Sequence, residues 1–381
     1  MESGSQFRLT PAQSAFCAQV RTLAETDLAP LAEAGAPGHV NRPLLAAMGR
    51  HGLLARLFPG GTDGRAEAAA LDLCLLRESL AQVSTEAETA LALQGLGTYP
   101  VVQSGTEEQI AHWLPKVVAG EAVAAFALSE PGSGSDAASL SLAATPTADG
   151  WTLSGEKIWI SNAPEADFYS VFARTTPEAG SRGVTAFLVP ADRPGLGGEH
   201  LDMISPHPIG RVTFNAVPVT RADLLGEVDQ GFRVAMRTLD LFRPSVGAFA
   251  VGMAQAALDA SIAHAGQREA FGGLLKDLQA VSHNLAEMAT RIEAARLLVY
   301  SAAEAYDSGE KRIAGRSAMA KLFATETAQF VVDAAVQIHG AVALRHGHLL
   351  EHLYREVRAP RIYEGASEVQ RTIIGRELYR A

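Results

Sequence analysis

The strongest candidate for acid–base chemistry lies near the C-terminus, in Arg361-Ile362-Tyr363-Glu364-Gly365-Ala366-Ser367-Glu368-Val369-Gln370-Arg371. Glu364 stands between apolar Ile362 and a glycine, just before a helix that Ser367 is expected to cap. On a surface such a carboxylate is inert. Enclosed in an apolar cavity it loses solvation, its pKa rises, and it becomes a competent general base. A second candidate is Phe126-Ala127-Leu128-Ser129-Glu130-Pro131-Gly132-Ser133-Gly134-Ser135-Asp136, where a strand pattern runs into a loop of small residues. Gly132-x-Gly134-x-x-Ala137 has the form of a dinucleotide fingerprint, but strands follow it instead of the helix of a βαβ unit, so a Rossmann site is rejected. The loop is either a plain tight turn or one whose N–H groups and hydroxyls approach a pyrophosphate. In Lys157-Ile158-Trp159-Ile160-Ser161-Asn162, Trp159 either fills core or lies against a planar aromatic ligand with Ser161 supplying a hydrogen bond. Gly150–Lys157 is superficially like a phosphate-binding P-loop, but it lacks the Lys-Ser/Thr pair. His348 and His352 are spaced to share one helical face, yet no third ligand is evident, so no metal site is expected. Arg355, Arg358 and Arg361 read as a solvated face or an ion-pair network.

The elements that must position these residues change period twice. Residues 9 to about 120 read as helices. Thr10-Pro11, Asn41 with Pro43, and the capping box Thr106-Glu107-Glu108-Gln109 are start signals, and clusters such as Pro59-Gly60-Gly61 are breaks. From about 121 to 228, short runs rich in Val, Ile, Phe and Trp alternate with turn residues. Asp149-Gly150 signals a hairpin, and Phe168–Ala173, Val184–Val189 and Arg211–Phe214 read as further strands. No helix-length pattern separates them, so antiparallel pairing is expected. From about 229 the helical period returns. Phe232, Met236, Leu239, Val246, Phe249 and Met253 share a face that Pro244 should kink or restart. Leu278, Val281, Leu285, Met288, Ile292, Ala295, Val299 and Ala302 form a second face, spaced for bundle packing. Two more helices are expected at about 315–339 and 367–379. The predicted fold class is α+β, with an N-terminal helical domain (1–120), a central antiparallel β domain (121–228) and a C-terminal four-helix bundle (229–381).

The 381 residues carry 32 basic and 42 acidic side chains, a net charge of −10 that argues against nucleic-acid or anionic-membrane binding. Apolar residues make up 48% and charged residues 19%, enough to build a large core. No apolar stretch of about twenty residues is evident, so no membrane span is expected. The start reads as neither signal nor transit peptide. Cys17 and Cys74 lie apart within helical patterns and read as buried thiols of a reducing cytosol. The expectation is a cytoplasmic enzyme.

Taken together, these segments resemble the acyl-CoA dehydrogenase family over essentially the whole chain. Ala127–Ser139 fits the family's first signature, and Tyr363-Glu364-Gly365-x-Ser367-Glu368-x-Gln370-Arg371 is a second strong match in register with the three domains. The resemblance implies FAD as cofactor. It matches Phe126, Leu128 and Ser129 to positions lining the flavin ring. Gly134 and Ser135 match pyrophosphate contacts, with Ser135 also near the CoA phosphates. Trp159 matches a tryptophan stacked by the dimethylbenzene side, and Ser161 the hydroxyl near N5. Arg268 and Phe271 resemble an arm reaching a neighbouring subunit's FAD. Gln279 and Gln337-Ile338-His339-Gly340 resemble the other inter-subunit contacts, and Ala341, Ala366 and Glu368 fall at cofactor-binding positions. Glu364 matches the catalytic base, while Arg243, Asp240 and Gly365 fall at substrate positions. The chain departs from the pattern at Gly340-Ala341-Val342-Ala343, where Gly-Gly-x-Gly is usual and each alanine adds a methyl near the adenine end. Gly347, His352, Ala366 and Ala270 also replace frequent family residues. A minority of the family carries its base on the helix that begins the bundle; Phe242 stands there.

The implied reaction is α,β-desaturation of an acyl-CoA thioester. Glu364 removes the α-proton and flavin N5 takes the β-hydride, with the thioester carbonyl polarised by preorganised donors. The resemblance further implies a homotetramer built as a dimer of dimers, with an electron-transferring flavoprotein as acceptor. The rivals are a flavin-dependent monooxygenase or oxidase on the same fold, against which Glu364 weighs, and a non-catalytic flavin- or acyl-CoA-binding scaffold. Straight, branched, cyclic and aromatic acyl groups all remain open.

Overall fold

The computed structural model describes residues 9–58 and 69–379; the Pro59-Gly60-Gly61 break lies outside them. The N-terminal third is helical: α1 (Pro11–Leu23), α2 (Ala29–Glu33), α3 (Arg42–Arg50), α4 (Ala70–Ala81), α5 (Thr85–Ser104) and α6 (Glu107–Val118). The start signals act as expected. Thr10 and Gln13 exchange capping-box hydrogen bonds, Thr106 and Gln109 do the same, and the Asn41 side chain accepts from Leu44 N–H at 3.0 Å.

The middle of the chain forms β1 (Ala124–Ala127), β2 (Ala143–Pro146), β3 (Gly150–Ser161), β4 (Phe168–Arg174), β5 (Val184–Pro190), β6 (Leu196–His200) and β7 (Ile209–Thr220). They make one seven-stranded sheet in the order β1-β4-β2-β3-β7-β6, with β5 on β4. The β2–β3, β3–β7, β4–β5 and β6–β7 pairs are antiparallel, the first closing around Asp149-Gly150. The expected antiparallel rule fails at β4, which runs parallel to β1 and, through one residue pair, to β2. The β2–β3 hairpin intervenes between β1 and β4, and a connection of that length permits a parallel crossover without a helix. Strand β6 had no signal: Leu196-Gly197-Gly198-Glu199-His200 does not alternate and is an edge strand held by β7 alone.

The register of β3 on β7 slips twice. Between Leu153 and Gly155 the extra residue is on β7, at Ala216 (φ +52°); between Lys157 and Ile160 it is on β3, at Trp159 (φ +60°).

The C-terminal part comprises α7 (Gly231–Gln267), a small hairpin of β8 (Glu269–Ala270) and β9 (Gly273–Leu274), then α8 (Gln279–Asp307), α9 (Ala314–His339), α10 (Leu349–Glu356) and α11 (Ser367–Leu378). Helix α7 runs through Pro244 without restarting, and there Ser245 Oγ donates to the Phe242 carbonyl at 2.7 Å. Ser367 is not the cap of α11. Ala366 holds that place, and Ser367 is the first helical residue, its hydroxyl turned to Glu326 at 2.6 Å. Helices α7 and α9 are long and apolar enough by composition to cross a membrane, which corrects the expectation that no such stretch exists. The apolar stretch of α7 is mostly buried within the protein, as a core helix is.

Packing divides the chain into two units. One holds residues 30–68 and 89–240: α3, most of α5, α6, the sheet and the start of α7. Its core is built on Phe168, Phe172, Phe187 and Val171, with Trp113 of α6 against Phe168 at 4.5 Å between centroids. Gly97 permits this packing, because a Cβ there would lie 2.7 Å from the backbone of Ala124 and Ala125. The other unit holds residues 1–29, 69–88 and 241–381. Its core is a small-residue seam: Met288, Ile292, Ala295, Val299 and Ala302 of α8 are buried, as are Ala324, Ala328, Val331 and Ala335 of α9. Leu278, Val281 and Leu285, on the same α8 face, are only half-buried. Both cysteines are buried free thiols, and burial pushes each thiol pKa up.

Candidate active site

Glu364 sits in the turn before α11 with a left-handed backbone (φ +50°), followed by Gly365 at φ +92°. Two donors hold this turn. The Gly365 carbonyl accepts from Lys321 Nζ at 2.7 Å and from Gln370 Nε2 at 2.8 Å, and Gln370 Nε2 also reaches the Glu364 carbonyl at 3.1 Å. At φ +92° any other L-residue at position 365 would be strained, and its Cβ would also displace Gln370 Nε2, 2.5 Å away. The Glu364 residue is half-buried, but its Oε2 is enclosed and has no hydrogen-bond partner among the described residues. Burial pushes the carboxyl above the ordinary carboxylate range, and the cations Arg77, Arg243 and Lys321 pull it partly back.

Those three cations come from three helices. Lys321, on α9, is fully buried, and burial lowers its pKa from 10.5 to about 8 against the opposing pull of Glu364. Arg243, on α7, is 7% exposed. Arg77, on α4, pairs with buried Glu88 of α5 and donates to Ser245 Oγ at 2.7 Å, tying α4, α5 and α7 together. Phe242 is buried on α7, and its side chain carries no proton acceptor. Sequence reasoning passed over Arg77, Glu88 and Lys321. A signal existed, since Leu75-Leu76-Arg77 and Ala318-Met319-Ala320-Lys321 each set a charge into an apolar helical run.

In the sheet unit, half-buried Phe126 is the penultimate residue of β1, and buried Leu128 and half-buried Ser129 follow the strand. The loop then doubles back through paired hydrogen bonds between Glu130 and Ser133. It is pinned from beneath by a buried ion pair. Lys157 Nζ donates to Glu130 Oε1 at 2.7 Å and to the Leu128 carbonyl at 2.9 Å, while Glu130 also accepts from Ser141 and Leu142. Gly134 and Ser135, just past this turn, are exposed, with open space in front of Gly134. The β3 bulge faces Lys157, Ile158 and Ile160 inward and throws Trp159 out, 51% exposed; Ile158 N–H donates to the Ser129 carbonyl at 3.0 Å and so ties the bulge to the loop. Ser161 is half-buried two residues on. An exposed indole beside an open, rigidly pinned small-residue loop suits a flat ring that carries phosphates.

Elsewhere in the helical unit, Phe271 (φ +52°) and Gly272 (φ +83°) form the tip of the β8–β9 hairpin. Phe271 is 94% exposed, and Arg268 at the hairpin's base is exposed too. Gln279, Gln337, Gly340 and Ala341 are exposed, whereas Ala343 is buried, so only the Ala341 methyl of the two alanine departures faces outward. Glu368 is exposed, Ala366 half-buried, and Asp240 lies half-buried one turn before Arg243 on α7. His348 and His352 serve different partners. His348 caps α10 at Leu350 N–H, and His352 Nε2 contacts Thr85 Oγ1 at 2.6 Å. Of the arginine run, Arg355 pairs with Glu351 and Arg361 with Glu326, both at 2.8–2.9 Å.

Comparison with known proteins gives three matches in chain order. Residues 10–121 match the N-terminal domain of acyl-CoA dehydrogenase, 125–217 its middle domain and 229–379 its C-terminal domain. The chain is 36% identical over 378 residues to the probable acyl-CoA dehydrogenase FadE25 of Mycobacterium tuberculosis, covering 98% of this chain and 97% of that one. Among solved structures, butyryl-CoA dehydrogenase from Megasphaera elsdenii superposes with a TM-score of 0.91 at 34% identity, over 98% and 100% of the two chains. A chain from the electron transferring flavoprotein study of Acidaminococcus fermentans gives 0.92 at 34%, over 99% and 100%. The FAD complex of PigA gives 0.90 at 26%, over 98% and 99%.

Proposed function

The chain belongs to the acyl-CoA dehydrogenase family of flavin-dependent enzymes, and we propose that it desaturates an acyl-CoA thioester between the α and β carbons with Glu364 as the base. The observation that carries this is the enclosed, unpartnered Oε2 of Glu364, whose raised pKa gives it the basicity to take a weakly acidic proton. Phe242 leaves the alternative base position without an acceptor. The left-handed turn, clamped by Lys321 and Gln370, fixes the carboxylate's direction before substrate arrives. The backbone N–H of Glu364 polarises the thioester carbonyl as negative charge develops on it. Arg243 acts as an active-site arginine beside Glu364, and Asp240 contacts CoA.

FAD fits the residues present. Trp159, Phe126, Leu128, Ser129 and Ser161 would hold its ring, and Gly134 and Ser135 its pyrophosphate. The family resemblance assigns Arg268, Phe271, Gln279, Gln337, Gly340 and Ala341 to the FAD of a neighbouring subunit, and Ala366 and Glu368 to further cofactor positions. When bound, FAD supplies the oxidant that takes the β-hydrogen with its electron pair. The 94% exposure of Phe271 supports a homotetramer, built as a dimer of dimers, in which each hairpin is covered by a neighbour. The likeness to the Acidaminococcus chain supports an electron-transferring flavoprotein as acceptor. The buried free thiols suit the cytoplasm.

The test is anaerobic flavin reduction with a panel of straight, branched, cyclic and aromatic acyl-CoAs. The purified protein should be yellow and be bleached by at least one of them. The Glu364→Gln variant should keep its flavin but lose roughly a hundredfold to ten-thousandfold in rate. Rapid reoxidation by oxygen with a hydroxylated product would instead identify a monooxygenase. Near-wild-type bleaching by the Gln variant would remove Glu364 from the chemistry.

A further inference from the structure

None of the roles assigned above uses His39, Glu165 or His200, which bring three ligand atoms within 4.8 Å of one another. His39 precedes α3, Glu165 lies in the turn after β3, and His200 ends β6, all within the sheet unit. His39 Nδ1 is 2.5 Å from Glu165 Oε1, and His200 Nε2 is 3.2 Å from the same oxygen. The two imidazole rings lie 4.4 Å apart between centroids, tilted by 51°. We propose that these residues form a surface site for a divalent transition cation of the zinc type, with water completing the coordination.

The donor set selects the metal class. Two imidazoles and one carboxylate suit zinc, nickel or copper, whereas magnesium and calcium prefer oxygen alone. Tetrahedral zinc with bonds of about 2.0–2.2 Å sets its ligand atoms roughly 3.3 Å apart. The His200–Glu165 pair already has that spacing, and His39 needs to open by less than an ångström, which its exposed side chain permits. Supporting contacts fix the carboxylate. Val40 N–H holds Glu165 Oε2 at 2.8 Å, leaving Oε1 facing the imidazoles, and Arg42 binds the Glu165 carbonyl and Asp167 at 2.9 Å each. Bound there, the cation would staple the segment before α3 to the free edge of the sheet. No sequence motif announces the site, because its three ligands come from three distant segments.

The experiment is calorimetric titration of chelator-stripped protein with zinc chloride, on wild type and on the His39→Ala and His200→Ala variants, with crystals soaked in zinc for anomalous scattering. One equivalent should bind, each variant should weaken binding at least about tenfold, and the anomalous peak should fall among the three residues. Both substituted side chains are solvent-facing, and melting in metal-free buffer checks that the variants fold. Binding that is absent, or equal in wild type and both variants, or a peak only at another histidine, would overturn the proposal. The readouts are independent of flavin and of catalysis.

Discussion

Replacing Lys321 by methionine (Lys321→Met) keeps an unbranched apolar stem and removes an ammonium from a fully buried position. Two effects oppose each other. Burial lowers the Lys321 pKa from 10.5 to about 8, so at neutral pH the native state carries about 3 kcal/mol of unfavourable charge burial. Against this, the variant loses a hydrogen bond from a charged donor to the Gly365 carbonyl, worth about 1.5–3 kcal/mol. Gln370 Nε2 remains on that oxygen. Stability near neutral pH should therefore change by no more than about 1–2 kcal/mol, in line with other exchanges of buried charge for hydrophobe. The pH dependence is the sharper readout. Native Lys321 loses its proton near pH 8 and unfolded Lys321 only near 10.5, so between these values the unfolded state binds more protons and wild-type stability rises with pH. The variant lacks that contribution, whereas the slope from Lys157, also lowered to about 8, remains in both proteins as an internal reference. Catalysis should respond too. With one of its three cations gone, Glu364 should be protonated more readily, and the acid limb of the flavin-reduction profile should move to higher pH. The assays are urea unfolding from neutral pH to about pH 10 and anaerobic flavin reduction across pH. An unchanged stability slope together with an unmoved acid limb would refute the electrostatic account of this turn.

Arg77→Met removes the cation from buried Glu88 and should cost about 3–5 kcal/mol in urea unfolding; a loss under about 1 kcal/mol would mean the pair is dispensable. Gly97→Ala would force a methyl to within 2.7 Å of the β1 backbone; a loss of at least about 1–3 kcal/mol is expected, and a neutral result would show that α5 shifts freely. Arg268→Ala should shed flavin on dialysis, because an arginine–phosphate pair is charge-assisted; full retention would place the phosphates elsewhere.

Much of the fold was legible because its signals are local. Capping boxes at Thr10 and Thr106, the Asp149-Gly150 turn and the Met288-to-Ala302 stripe each act within a few residues, and each element begins or buries its face as expected. What stayed hidden depends on pairing at a distance. The parallel placement of β1 on β4, and edge strand β6 with its two glycines, follow from partners that no local pattern names. In the candidate site, Glu364 stood out through its neighbours in sequence. Of its electrostatic setting only Arg243 was named, through the family resemblance; Arg77 and Lys321 were not, because they come from two other helices. Of the two outcomes offered at Pro244, the restart does not occur: in a buried helix, tertiary packing outweighs the loss of one backbone donor.

The two slips between β3 and β7 act as a compensated frameshift. The first adds a residue to β7 at Ala216 and the second adds one to β3 at Trp159, so the strands leave and re-enter the same pairing phase. Only the short tract from Gly155 to Lys157 is read out of phase, and it carries the buried ammonium that pins the glycine loop. The defect is thereby quarantined: strand ends, and every neighbour hydrogen-bonded to them, keep the phase they would have without either insertion. Deleting Ala216 alone, or Trp159 alone, would leave one half of the ladder mismatched. Deleting both would restore an unbroken ladder while erasing the outward indole. The pair of insertions therefore behaves as one structural module that installs an outward-facing aromatic without shifting the phase of the strand ends.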